Sequence, residues 1–234
     1  MPRLGILGTF VWDTVWTVAD QAAGRAFESW GGMAFSLAAA AAARPDGWEI
    51  VPIAHVGEDL AERAHEFLGT LDGVGDRAAV VPVPEPNNRV ELVYADDARR
   101  GERMRGGVRG WSWDELAPHL ESLDAICINF FSGWEMDLAT AESLARSFAG
   151  PVYADLHSLF LGPPRADGPR LPRRLPDAQR WLGCFDVVQL NQEERALLLG
   201  YDLRRKPASE MLEHGPDAVL VTLGADGASY VAAE

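Results

Sequence analysis

Strand-like and helix-like segments alternate through the second half of this chain, and the alternation limits the available folds more than any other feature. Buried-strand patterns occur at Ala125–Phe130, Val152–Leu156, Val187–Leu190 and Ala218–Leu223. Helical patterns occur at Trp113–Leu120, Leu138–Phe148, Gln192–Leu199 and Ala208–His214. Strands that alternate with helices in this way form right-handed βαβ units, with helices on both faces of a mostly parallel sheet. The sequence therefore predicts an α/β fold.

The first half of the chain predicts further strands and helices, with two excursions from the main sheet. We expect strands at Leu4–Leu7, Ile50–Ala54, Val80–Val83 and Arg89–Tyr94, and helices at Met33–Ala43 and Glu58–Leu68. Short strands around Trp12–Val18 and Arg25–Trp30 predict a hairpin-like excursion, and the polar segment Asp96–Arg105 is expected to close a second one. With 234 residues, the chain is expected to form one domain.

Charge and apolar patterning exclude several classes of partner. The formal net charge is −14, so phosphate backbones and anionic lipid surfaces repel the chain, and we predict neither nucleic acid nor membrane as a partner. The longest apolar run, Ala38–Ala43, is far shorter than the roughly 20 residues of a membrane-spanning helix. No basic and apolar leader follows Met1, so a cytoplasmic location is expected. Cys127 and Cys184 lack metal or redox spacing and are expected to be buried apolar residues.

Common motifs of phosphate and hydrolytic chemistry are absent from the sequence. Lys206 is the single lysine and precedes a proline, which excludes a Walker-type phosphate loop. The sequence also lacks the His-Glu-x-x-His, Gly-x-Ser-x-Gly and Gly-x-Gly-x-x-Gly patterns. A phosphate-binding site in this chain therefore has to use a different motif.

Ligands of open α/β sheets bind beyond the carboxyl ends of the strands, which directs attention to residues that follow strands. Asp13, after the first strand, is suited to accept hydrogen bonds from a polyol, although aspartate is also common in turns. Gly31 and Gly32 allow a ligand to approach backbone N–H groups at a helix start, although they also suit a plain loop-to-helix junction.

Two later segments also have both a functional and a structural interpretation. Asn191 and Glu194 have the spacing of a capping box, and a carboxylate there is also suited to hold hydrated Mg²⁺ beside nucleotide phosphates. The segment from Thr222 to Gly227 is a strand end followed by a glycine-rich turn. Such a turn can carry a nucleotide or can be a simple β-turn.

Taken in order, these segments resemble the ribokinase-like (PfkB-type) carbohydrate kinase family over nearly the whole chain. The resemblance implies a three-layer α/β fold and an ATP- and Mg²⁺-dependent kinase that phosphorylates a hydroxyl of a sugar or nucleoside. The implied substrate-binding residues are Asp13, Gly31, Gly32, Ser36, Asn88 and Arg89. The implied nucleotide-binding residues are Asn191, Thr222, Gly224 and Gly227, with Glu194 as the magnesium residue. Residues 14–30 and 88–105 would form a small β-lid over the substrate, through which the chain would form a homodimer.

The chain departs from the family pattern at two places. Ser36 stands where the family has asparagine in Gly-Gly-x-x-x-Asn. The Gly-Ala-Gly-Asp segment that supplies an anion hole and the catalytic base is expected after the Thr222 strand, beyond Glu234, so the chain as given is expected to be inactive. Asp226 belongs to the earlier nucleotide turn and is not interpreted as the base.

Two alternatives accompany the kinase interpretation. A catalytically inactive member of the same fold would bind sugar or nucleotide without turnover. Asp155, His157 and Ser158 follow a predicted strand and suggest an α/β hydrolase. On an extended chain Asp155 and His157 share a face and Ser158 points away, so this alternative is the weaker one.

Overall fold

A large parallel sheet and a small separate sheet make up the β-structure of the chain. The computed structural model describes residues 1–95, 100–165, 169–199 and 208–233. In these residues the strands are β1 (Arg3–Leu7), β2 (Phe10–Trp16), β3 (Phe27–Gly32), β4 (Glu49–Gly57), β5 (Val80–Val83), β6 (Asn88–Tyr94), β7 (Arg100–Arg105), β8 (Ala125–Asn129), β9 (Val152–Asp155), β10 (Val187–Asn191), β11 (Ala218–Thr222) and β12 (Ala228–Ala232).

Helices connect most of these strands. They are α1 (Val18–Ala23), α2 (Met33–Ala43), α3 (Ala61–Gly69), α4 (Trp113–Leu120), α5 (Leu138–Ser147), α6 (Ala178–Leu182) and α7 (Gln192–Leu199). Short 3₁₀ helices occupy His157–Phe160, Ala208–His214 and Gly224–Asp226. Within the described part of the chain, no helix is both long and apolar enough to cross a membrane.

The large sheet has the strand order β12–β11–β10–β9–β8–β1–β4–β5. All of its pairings are parallel except that of β12 with β11. Parallel strands require crossover connections, and these bring the helices onto the faces of the sheet. The predicted α/β fold with a mostly parallel sheet is confirmed.

Apolar side chains fill the space between the sheet and its helices on both faces. One cluster lies under α4, α5 and α6, and its fully buried residues include Leu116, Ile128 and Leu144. A second cluster lies under α2 and α3 and includes Ile6, Met33 and Leu68. Burial of such side chains stabilises the fold by about 1.5–3 kcal/mol each.

The small sheet has the order β3–β2–β6–β7. It contains most of the two segments predicted as a lid, residues 14–30 and 88–105, of which residues 96–99 lie outside the described part. The first excursion is not made of short strands alone, as the sequence predicted, because helix α1 lies between β2 and β3. Thr17 and Asp20 form a capping box at its start, and Gly24 ends it with a positive φ of 64°.

The part of the large sheet formed by β8 to β11 has one well-covered face and one half-exposed face. Buried and half-buried residues alternate along each of these strands. The neighbouring helix α2 is apolar all round, and its Phe35 is 64% exposed. A helix of that composition normally has neighbours on every side. The half-exposed positions of this face include polar residues, among them Asn129, Asp155 and Gln189.

Several predicted elements differ from those observed. The helix predicted from Glu58 begins only at Ala61, because Glu58 to Leu60 form a turn at the end of β4. The helix predicted at Ala208–His214 is a 3₁₀ helix. The sequence did not predict α6 or β12. α6 is little more than one helical turn, and β12 is an almost entirely exposed edge strand without a buried apolar run.

Candidate functional site

Asp13 lies on the face of the small sheet that turns towards the main body, and Gly31 leaves room for its carboxylate. Asp13 is only 7% exposed. A Cβ atom added to Gly31 would overlap the Asp13 carboxylate. A glycine at position 31 is therefore required for the aspartate to hold its present conformation.

Gly32 turns the chain from β3 into α2. Its φ of 60° and ψ of −131° are rarely adopted by residues with a side chain, and a Cβ atom would overlap the Thr9 carbonyl oxygen. The N–H of Met33 donates to that same carbonyl at 3.1 Å. No side chain caps α2, so backbone N–H groups of its first turn are available to a ligand close to Asp13.

Ser36 lies one helical turn beyond Gly32 and contacts the end of a neighbouring strand. Asn129, the last residue of β8, donates from Nδ2 to Ser36 Oγ at 2.9 Å. Both residues are half-buried. The sequence pointed to Ser36 but gave no signal for Asn129, which lies 93 residues away in the chain.

Asn88 and Arg89 point to opposite faces of the small sheet, since they are consecutive strand residues. Asn88 pairs with Val11 and so shares the face of Asp13. It is fully buried, and among the described residues neither polar atom of its side chain has a hydrogen-bond partner. Arg89 lies on the other face, where its Nη2 donates to Asp59 Oδ2 at 2.7 Å. The structure brings Asn88 to the side of Asp13 and takes Arg89 away from it.

Asn191 and Glu194 form a capping box at the start of α7. The Glu194 carboxylate accepts from the backbone N–H of Asn191 at 2.7 Å and from its Nδ2 at 2.6 Å, and Asn191 Oδ1 accepts from the Glu194 N–H at 2.9 Å. His157 Nδ1 lies 2.5 Å from Glu194 Oε1. The hydrogen bond to this carboxylate raises the pKa of His157 above its usual value.

These contacts test whether Glu194 can be the predicted magnesium residue. Both of its oxygen atoms already accept hydrogen bonds, from Asn191 and His157. Glu194 Oε2 accepts one of these hydrogen bonds and keeps a further lone pair, so the hydrated Mg²⁺ beside this carboxylate stays a prediction. Among the described residues there is no group of three or more His, Cys, Asp or Glu side chains placed to hold a metal ion.

Asp155 ends β9, between the residues predicted to bind substrate and those predicted to bind nucleotide. Its Oδ1 accepts from the His157 N–H at 3.1 Å and its Oδ2 accepts from Gln189 Nε2 at 3.1 Å. Tyr153 donates its hydroxyl to Gln189 Oε1 at 2.8 Å. Burial raises the pKa of Asp155. Gln189 and Tyr153 were not predicted as site residues, because their alternation along buried strands gives them the same pattern as core positions.

The positions of His157 and Ser158 test the hydrolase alternative. Ser158 is 2% exposed, and its backbone N–H donates to the Phe130 carbonyl at 2.9 Å. The His157 ring pairs with Glu194 and not with Ser158. A hydrolytic serine needs an adjacent base and access to substrate, so this geometry does not favour the hydrolase interpretation.

The glycine-rich turn after β11 links β11 to β12. Gly224 and Gly227 have φ values of 62° and 90°, and the Leu223 N–H donates to the Gly227 carbonyl at 2.8 Å. Thr222 pairs with Asn191 across the sheet. Asp226 is exposed within the turn and is followed by a strand rather than a helix.

Glu135 is a buried carboxylate that sequence analysis did not single out. It accepts from Thr9 Oγ1 at 3.0 Å and from the N–H groups of Ser132 and Gly133 at 2.6 and 2.9 Å. Burial raises its pKa. Glu135 therefore fixes the loop after β8 to the end of β1. The short Ser-Gly-x-Glu turn was the available signal for it.

The carboxyl ends of neighbouring strands bring these groups to one edge of the large sheet, in an arrangement that we call the polar row. It consists of residues at or just beyond the carboxyl ends of strands: Gly8, Asn129, Asp155, Asn191 and Thr222. Register pairs Asn129 with Asp155 and Asn191 with Thr222, whereas Asp155 pairs with Gln189, two residues before Asn191. Four inter-strand spacings of about 4.8 Å separate β1 from β11, so the row is roughly 19 Å long. Asp13, Gly31 and Ser36 stand at one end, and the Thr222 turn stands at the other. A cavity of about 530 Å³ beside Trp111 and Trp181 includes none of the predicted site residues.

Comparison with solved structures identifies the architecture. A pyrophosphate-dependent kinase in the ribokinase family, complexed with a pyrophosphate analog and myo-inositol, matches with a TM-score of 0.73 and 16% identity, over 100% of this chain and 76% of that one. The Burkholderia thailandensis nucleoside kinase in complex with inosine matches with a TM-score of 0.69 and 16% identity, over 98% and 72%. Arabidopsis thaliana ribokinase complexed with ribose and ATP gives 0.68 and 16%, over 99% and 75%.

No protein-family model matches the chain, and no curated protein matches it. The similarity to the solved structures shows that the chain has the ribokinase-like fold. At 16% identity the shared fold does not establish the function, which is therefore inferred from the residues of the polar row.

Proposed function

We propose that the chain binds a sugar or nucleoside at the Asp13 end of the polar row and ATP at the Thr222 end, as the scaffold of a kinase that phosphorylates a substrate hydroxyl. The observation that carries the proposal is the polar row itself. The Asp13 carboxylate lies beside one end of the row and the glycine-rich turn lies beside the other, with the small sheet over the Asp13 end. The solved structures of similar fold, which include kinases complexed with myo-inositol, inosine, or ribose and ATP, support it at the level of the fold.

At the substrate end, Asp13 supplies hydrogen-bond acceptors and α2 supplies donors. An ionised carboxylate accepts hydrogen bonds from hydroxyl groups and donates none. The first-turn N–H groups of α2 donate to hydroxyl oxygen atoms. A polyol, whose hydroxyl groups both donate and accept, suits this combination. The inner face of the small sheet then acts as a lid that excludes water.

At the other end, the turn from Thr222 to Gly227 is open enough to carry a nucleotide. Gly224 and Gly227 have no neighbouring atoms within 4 Å of where a side chain would begin. Asn191 lies beside this turn, where its capping role keeps the start of α7 in place. ATP that reaches from this turn towards Asp13 brings its terminal phosphate to the middle of the row.

A base is still needed to accept the proton of the attacking hydroxyl. Asp155 is in the row, but its oxygen atoms accept hydrogen bonds from Gln189 and His157. Asp226 lies in an exposed turn. These observations favour ligand binding without turnover as the second candidate function of this chain.

Calorimetric titration tests the proposal. Ribose, myo-inositol and inosine are titrated into the chain, each with and without ATP. We expect at least one polyol to bind, and ATP to bind independently of Asp13→Ala. The proposal is contradicted if no polyol binds at millimolar concentration and ATP does not bind either.

A further inference from the structure

We propose that Arg103, Arg105 and Arg165 form a binding site for a polyphosphate chain at the edge of the small sheet. The starting observation is a cavity of about 320 Å³ between the edge strand β7 and the loop that follows the 3₁₀ helix His157–Phe160. The three arginines line it, and the other described lining residues are a methionine and a proline. This arginine site lies outside the polar row and adds a second ligand to the proposed function.

Strand register gathers positive charge on the outer face of the small sheet. Arg103 and Arg105 are two residues apart on β7, so their side chains share one face, about 7 Å apart along the strand. Arg105 stands directly opposite Arg89, and like charges in opposed positions destabilise a sheet. The arrangement occurs in a chain whose formal net charge is −14. A local cost without a gain inside the fold is typical of a functional position.

Neighbouring carboxylates leave most of this charge uncompensated. Asp59 pairs with Arg89 at 2.7 Å. Glu91 stands opposite Arg103 in register, but within the described part of the chain no ion pair joins the two side chains. Among the described residues, no hydrogen bond or ion pair engages the guanidinium groups of the three arginines, and all three side chains are exposed. Their N–H donors are therefore available to an anion.

The loop that carries Arg165 is fixed against β7. Arg170 donates from Nε to the Gly162 carbonyl and from Nη1 to the Ser132 carbonyl, both at 2.7 Å. Its Nη1 also lies 3.9 Å from the sulfur atom of Met104 on β7. Two prolines precede Arg165 and restrict the backbone there. The backbone positions of the three arginines are thus held near one another before a ligand arrives, which lowers the ordering cost of binding.

The number and spacing of the donors define the ligand class. A guanidinium group binds phosphate or carboxylate oxygens through two parallel N–H groups. Two such groups about 7 Å apart on an extended strand, with a third on the loop, suit a ligand that carries several oxyanion groups in a row. A single phosphate or a compact tricarboxylate does not follow the strand in this way. The ligand is therefore a polyphosphate chain, either free or as part of a nucleotide.

Isothermal titration of the full chain with tripolyphosphate tests the assignment, with orthophosphate and citrate as the single-phosphate and carboxylate probes. We expect tripolyphosphate to bind about tenfold or more tightly than either. Arg103→Gln and Arg105→Gln are each expected to weaken it about tenfold, a loss typical of charge-assisted hydrogen bonds. Arg25→Gln is the matched control, because Arg25 is an exposed arginine that precedes β3 at the opposite edge of the small sheet.

Urea unfolding separates a binding role from a structural one. Arg105→Gln removes the like-charge pair with Arg89, so without an anion its stability should equal or exceed that of the original chain. Tripolyphosphate should raise the unfolding midpoint of the original chain and of Arg25→Gln, but not that of the double variant Arg103→Gln/Arg105→Gln. The rise should shrink as NaCl increases from about 0.05 to 1 M, because salt screens exposed charges.

Titration with ATP identifies the source of the phosphate chain. A second equivalent of ATP that binds the original chain and is lost in the double variant identifies a nucleotide. Loss of tripolyphosphate binding in the double variant, with ATP binding unchanged, identifies a free polyphosphate. ATP at the Thr222 end of the polar row is expected to bind the double variant in both cases, because that turn contains none of the three arginines.

Three outcomes overturn the inference. If the double variant binds tripolyphosphate as tightly as the original chain does, the anion lies elsewhere and the proposed function stands. If orthophosphate or citrate binds as tightly as tripolyphosphate, the ligand class is wrong. If tripolyphosphate does not bind the original chain at millimolar concentration and low salt, the three arginines form no anion site.

Discussion

The carboxylate of Asp13 occupies the space that a side chain on Gly31 would fill. The two residues lie on adjacent strands of the small sheet, in diagonal positions on one face. The missing side chain of Gly31 therefore allows the conformation of Asp13, and a change at either residue affects the same proposed substrate site.

Gly31→Ala is expected to destabilise the fold and to weaken polyol binding together. The added methyl group collides with Asp13, and overpacking of this kind costs about 1–3 kcal/mol. Urea unfolding and calorimetry measure the two effects. Gly107→Ala is the control, because no atom lies within 4 Å of its Cβ position. Equal stability of the two variants would show that Asp13 moves aside without cost.

Asp13→Ala is expected to weaken polyol binding, whereas Arg89→Gln is expected to leave it unchanged. Asp13 lies at the proposed substrate site, and loss of its charge-assisted hydrogen bonds should weaken polyol binding about tenfold or more. Arg89 lies on the opposite face with Asp59, so Arg89→Gln should leave affinity unchanged. Calorimetric titration compares them, and a large loss in the arginine variant would place substrate on the outer face of the small sheet.

The 234-residue chain is expected to show no ATP-dependent phosphorylation of ribose, myo-inositol or inosine. The reason is that none of the carboxylates of the row is placed as a free base near Asp13. Release of ADP, measured by a coupled assay, tests this. Turnover in the original chain that disappears in Asp226→Ala would mean that the exposed turn aspartate is the base after all.

Acidification is expected to destabilise the chain through His55. Burial lowers the pKa of His55 below 6.5, so the unfolded chain binds a proton that the folded chain does not. Stability is thus present above about pH 6.5 and is lost as the pH falls, by at most about 1.4 kcal/mol per pH unit. His55→Phe keeps a ring against Trp111 and should show a shallower slope in urea unfolding between about pH 7.5 and 5.5. Equal slopes would exclude His55 as the source.

The small sheet is expected to mediate a homodimer. Phe27 on β3 is 62% exposed, and exposed apolar groups on a projecting sheet mark an interaction surface. Phe27→Ser should shift the chain towards monomer in sedimentation velocity. Tyr230→Ser is the control, since Tyr230 is an exposed aromatic residue on β12 in the other sheet. A strict monomer at high concentration of the original chain would contradict the expectation.

The sequence by itself determined the features that depend on short-range patterns. The alternation of strands and helices specified the parallel sheet, because apolar periodicity and helix propensity act over a few residues. The same applies to Asn191 and Glu194, whose capping box needs only a separation of three residues. Gly32 was found at a strand-to-helix junction because only glycine adopts that backbone readily.

Only the tertiary structure decided which side chains meet across the sheet. Asn129 reaches Ser36 over 93 residues of sequence, and Glu135 reaches Thr9 over 126. The strand register also sent Asn88 and Arg89 to opposite faces and paired His157 with Glu194. Such contacts depend on how distant strands align and on which face each side chain takes, and a shift of one residue in register reverses the face. No local pattern in the sequence carries that information.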